Sequence, residues 1–128
     1  MYQAYGLLPR SSNFTLDEAA ARLTERFPDF IVRRVGEEVH VTKGEWELKL
    51  RIDDGPHVRD ESVGLAGRIA GLEPAEAGSL EACDRRLEMW SDTQDPFVEH
   101  LSDFHAAVEV LKSFPGLIAV DPNEPSLL

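Results

Sequence analysis

Basic residues are scarce in this chain of 128 residues: 13 Lys and Arg stand against 24 Asp and Glu, for a formal net charge of -11. Proteins that hold phosphate backbones do so with clustered Lys and Arg that displace counterions, so the field here has the wrong sign for nucleic acid or an anionic membrane. Cysteine is scarcer still. Cys83 stands alone, so it has no partner for an internal disulfide, and a reducing, cytoplasmic setting is expected. No apolar run approaches the ~20 residues of a membrane span. The start Met1-Tyr2-Gln3-Ala4-Tyr5-Gly6 has neither the basic region nor the apolar stretch of a signal peptide. Also missing are the Gly-x-Ser-x-Gly elbow of many hydrolases, the dinucleotide fingerprint and the Gly-Lys-Ser or Gly-Lys-Thr of a phosphate loop. Internal repeats, low-complexity tracts and long linkers are absent too.

What remains is 42% hydrophobic and 29% charged, the balance of a single globular domain large enough to fold without metal or disulfide. The acids are unevenly placed. Residues 1–86 carry 16 acids and 12 bases, a balance of -4, whereas residues 87–128 carry eight acids and only Lys112, a balance of -7.

Thr15-Leu16-Asp17-Glu18 has the form of a capping box. Leu16, Ala19, Ala20, Leu23 and Phe27 then recur at helical spacing until Pro28. The period changes in Glu45-Trp46-Glu47-Leu48-Lys49-Leu50-Arg51-Ile52, where every second residue is apolar and the others are charged. That alternation predicts a strand with one buried and one wet face. Val39–Thr42 and the β-branched stretch Phe30–Val35 complete a predicted meander, with turns at Gly36-Glu37 and Lys43-Gly44. Tyr2–Leu8 reads as a further strand, Asp60–Leu72 as a helix rich in glycine, and Pro74–Leu80 as a short helical turn. Residues 85–91 fit strand and helical periods alike; strand is preferred because 92–96 then form a loop. Asp95 and Pro96 suit the cap and first position of a last helix, with Phe97, Leu101, Phe104, Val108 and Leu111 on its apolar face. Leu117–Val120 closes the series as a short buried strand.

The predicted order is β-α-β-β-β-α-β-α-β: an α+β two-layer sandwich with a mainly antiparallel sheet and helices packed on one face. Residues 1–121 form one domain, and 122–128 a loose C-terminal tail.

Candidate sites are few. In Glu99-His100-Leu101-Ser102-Asp103-Phe104-His105, His100 and Asp103 are helical neighbours and are the weak candidates for holding a metal. His100 and His105 would lie about 140° apart on a helix, so they cannot ligate one ion; core-edge histidines with wet tips are the preferred reading. Asp53-Asp54-Gly55-Pro56-His57 lacks the alternating ligands of a calcium loop and reads as a turn. Glu81 and Asp84 flank Cys83 and disfavour its thiolate, with Arg85 and Arg86 in partial opposition. Trp90, if on a strand, faces away from Leu87 and Met89; an exposed Trp beside acids would be a binding anchor, although cover by a helix is the expectation.

No cofactor and no catalytic residue are assigned. The leading expectation is a small non-enzymatic protein that acts by protein–protein association. Asp92, Asp95, Glu99, Asp103 and Trp90 would meet a basic protein partner, as in an inhibitor or antidote of a basic enzyme. The rival expectations are a small-ligand or metal-binding module, or an enzyme built on His100 and Asp103. Monomer and homodimer both fit the sequence.

Overall fold

The alternation of Trp46-Glu47-Leu48-Lys49-Leu50 folds as written. In the computed structural model, which describes residues 2–128, Trp46, Leu48 and Leu50 are buried and the charged residues between them face outward. The chain order is β1 (Tyr2–Pro9), α1 (Leu16–Arg26), β2 (Ile31–Val35), β3 (Glu38–Lys43), β4 (Trp46–Asp53), α2 (His57–Arg68), α3 (Pro74–Glu81), β5 (Cys83–Ser91), α4 (Leu101–Lys112), β6 (Ile118–Asp121) and β7 (Ser126–Leu127). The strands form one antiparallel sheet in the order β2-β3-β4-β5-β1-β6-β7. The α+β sandwich is therefore the fold, and residues 83–91 are strand.

Local chemistry sets most boundaries. The Thr15 hydroxyl accepts from the Glu18 amide at 3.1 Å, capping α1. Glu18 does not complete the box; its carboxylate accepts from Arg22 one turn on. Gly36 and Gly44 take φ of +61° and +60° in the two hairpin turns, where any side chain would be strained.

α1 and α4 lie over one face of the sheet, where Leu23, Leu50, Met89, Phe104 and Leu111 join a single apolar cluster. The expectation that all helices share that face needs correction at the other end of the sheet. Leu7 and Val120 point the opposite way and are fully buried, because Leu65, Ala66 and Ile69 at the end of α2 and Leu80 of α3 cover them. A bulge pairs Leu8 with Arg85 but Pro9 with Cys83, which lets Cys83 join this second cluster. The physical reason lies in β1, which sits between β5 and β6 with Ala4, Leu7 and Leu8 all inaccessible. A strand apolar on both sides must be covered on both.

Three other expectations are corrected. α2 begins at His57 rather than Asp60, directly after Pro56. Residues 122–128 turn back, so that Val120 pairs with Leu127 and the Leu128 amide donates to Ala119. The last helix begins at Leu101, not at Pro96. Val98 has φ +56°, which breaks any right-handed helical run. Phe97 consequently loses its place on the apolar face and stands 81% exposed.

Candidate functional site

β5 ends at Ser91, and the segment 92–100 leads into α4 along one end of the sheet. Asp95 organises it. One carboxylate oxygen accepts from the Glu99 amide at 3.0 Å, and the other accepts from the His100 amide at 2.8 Å and the Tyr2 hydroxyl at 2.6 Å. The residue read as the cap of a long helix thus closes a tight turn ahead of it. Partial burial works against the Asp95 charge, but the bonds from Tyr2 and the two amides outweigh it and hold the carboxyl below its usual value. The same bond, with lesser help from burial and the Asp95 charge, pushes Tyr2 up from 10.0 to about 12. An acid whose folded pKa is raised contributes stability that is complete below the unfolded value and lost as pH rises through the folded one. An absorbance titration should accordingly show one tyrosine ionising near pH 12, with Asp95→Ala returning it towards 10. A Tyr2 that titrates normally would show that the bond does not persist in solution.

His100 follows as the residue preceding α4. Its Nδ1 lies 3.0 Å from an Asp103 oxygen, and its ring stacks on Trp46 at 4.6 Å between centroids and 8° between planes. His100 and Asp103 do meet, but as a pair at the edge of the core. Among the described residues no three His, Cys, Asp or Glu side chains come together as a metal site. His105 is exposed next to Phe104 and does not join them.

Trp90 and Asp92 form a second small unit at the end of β5. The Trp90 indole N–H donates to Asp92 at 3.2 Å, and an Asp92 oxygen lies 3.9 Å from the Lys49 ammonium. Trp90 is half-buried, outside both apolar clusters, with the Arg51 guanidinium 5.2 Å from its ring centre in place of the helix expected above it. A cleft of about 480 Å³ lies here, lined by Tyr2, Asp92, Thr93, Gln94 and Asp95 among others.

Not every acid of the last third contributes to this field. Glu88 is buried between Arg51 at 2.7 Å and Arg86 at 2.9 Å, so its charge is neutralised by bases from β4 and β5. Glu99, by contrast, is exposed and forms no ion pair among the described residues. Cys83 is no reactive thiol: burial, then the Asp84 charge, pushes it up to about 11 against a weaker pull from Arg59.

Two residues of this region escape sequence periodicity. Its spacing to Leu101 puts Phe97 on a buried helical face, whereas Asp95-Pro96 suits a tight turn equally well. Tyr2 lies 93 positions from Asp95, and no local pattern links them. No protein-family model, curated protein or solved structure matches the chain, so any function rests on this geometry.

Proposed function

We propose that the chain works by association with a basic protein partner, through the segment 92–99 and the start of α4. The observation that carries this reading is Phe97, 81% exposed and followed by Val98 at 55%, with unpaired Glu99 beside them and Asp92 nearby. A soluble domain gains nothing in stability from an aromatic ring held in water, whereas aromatic side chains ringed by polar groups are frequent anchors at interfaces. The acids would act chiefly on the rate of encounter with a positive surface. Trp90, half-buried and tied to Asp92, forms the rim towards the sheet.

An inhibitor or antidote of a basic enzyme, working in the cytoplasm, is the concrete form of this reading. Neither needs a cofactor, and neither requires the His100–Asp103 pair to do chemistry. The pair instead holds the start of α4 against Trp46.

Affinity capture on the immobilised chain tests it. A partner held through this surface is retained at low salt and lost at about 0.5 M, where the screening length falls to ~4 Å. Phe97→Ser should abolish retention, and the reversal Glu99→Lys should weaken it and flatten its salt dependence. A protein retained equally by the wild type and both variants, at either salt, would rule this surface out.

A further inference from the structure

The two edges of the sheet are built differently. β7 spans two residues directly after Pro125, and Pro122 follows β6. Such short, proline-flanked strands are poor templates for further pairing. β2 spans five residues, pairs with β3 in unbroken register from Ile31–Thr42 to Val35–Glu38, and contains no proline. An edge of this kind presents a row of free backbone donors and acceptors.

The side chains on β2 are equally open. Ile31 and Val35 share the sheet face that α1 leaves uncovered and are 62% and 42% exposed. Arg33 lies between them on that face, exposed and without an ion pair among the described residues. Its neighbour Arg34 points to the other face and is held by Asp17 of α1. In a protein of net charge -11, β2 carries two arginines and no acid.

We propose that the β2 edge is a docking site for an extended peptide bearing an acidic residue with an apolar residue two positions to either side. The peptide adds to the sheet as an eighth strand. Its backbone satisfies the free groups of β2, its acid lies opposite Arg33, and its apolar side chains lie beside Ile31 and Val35. Because the pattern is symmetric, either strand direction satisfies it. A second copy of this chain fits less well. Self-pairing about a two-fold sets Arg33 against its own copy or, slid by two residues, sets Ile31 against Arg33; a slip of one residue puts the side chains on the wrong faces. This site is separate from the acidic segment 92–99 and recognises the opposite charge.

A capped peptide of sequence Thr-Val-Thr-Glu-Thr-Val-Thr is the probe, with its Lys-centred counterpart as control. Each is titrated into the full chain while backbone amide signals are followed by NMR. The Glu peptide should shift the amides of 31–35 saturably and slow their hydrogen exchange, and the Lys peptide should bind at least about fivefold more weakly. Arg33→Glu, an exposed change that breaks no ion pair among the described residues, should reverse the preference. The two peptides on the wild-type chain test the charge rule even without that variant. Equal affinity for both peptides, shifts centred elsewhere, or no saturation with either overturns the proposal. So does broadening of the β2 amides with protein concentration alone, accompanied by dimer in sedimentation, which would assign the edge to self-association.

Discussion

Replacing Trp46 by alanine should lower the unfolding free energy by about 4 kcal/mol, the middle of the range for deleting a buried aromatic. Against a typical total of about 5–15 kcal/mol, that leaves a marginal fold. Trp46 is 3% exposed, stacks on His100 and meets Phe30 edge-on at 6.5 Å. Its indole N–H is buried without a partner among the described residues, a defect that costs about 1–3 kcal/mol in other proteins. Trp46→Phe keeps an aromatic ring and removes that unpaired donor, so it should cost much less than alanine. The alanine variant should also free His100 and speed amide exchange at Glu99 and His100, linking this core residue to the order of the proposed binding segment. Urea unfolding of the two variants supplies the free energies; a loss below about 1 kcal/mol for alanine would show that the stack contributes little.

The second large effect is expected at Arg86. Its guanidinium donates to Glu88 and Glu61, lies 3.6 Å from Asp53 and covers the Tyr5 ring at 4.5 Å. Arg86 and Glu88 are each only 7% exposed. Removing Arg86 leaves buried Glu88 with only the half-exposed Arg51 as a counter-charge, so Arg86→Met should destabilise by about 3 kcal/mol. Replacing both members by apolar residues of similar volume is often neutral, and Arg86→Met with Glu88→Leu should recover most of the loss. Arg51 also reaches Glu88, but its side chain is 54% exposed, and Arg51→Met should cost less. Completing the cycle with Glu88→Leu isolates the coupling. A double variant whose cost equals the sum of the two single variants would mean that the pair carries no special weight.

These two expectations show where sequence reading succeeds and where it stops. Burial of Trp46 follows from its alternation with Glu45 and Glu47, because a strand with one dry face places every second residue inside. Arg86 and Glu88 occupy the outward positions of the same kind of pattern on β5. Nothing local reveals that α2 arrives over them and turns a wet face into a buried ion pair. The segment 92–100 failed for a related reason. Asp95-Pro96 fits a helix cap and a turn equally well, and the choice fell to Tyr2, whose hydroxyl fixes Asp95 from the other end of the chain.

The amino-acid order alone determined six of the seven strands, three of the four helices to within a few residues, the α+β class, and the excess of acid in the last third. All of these depend on neighbours within a turn or two, where periodicity, caps and turn residues act directly on the backbone. Tertiary structure decided that β1 lies inside the sheet, that α2 and α3 cover its second face, and that Glu88 is neutralised. It also decided that Phe97 stands in water beside Glu99 and that β2 is left as an open edge. Each of these outcomes sets residues distant in sequence against one another, and the energy that selects them exists only once the sheet has closed.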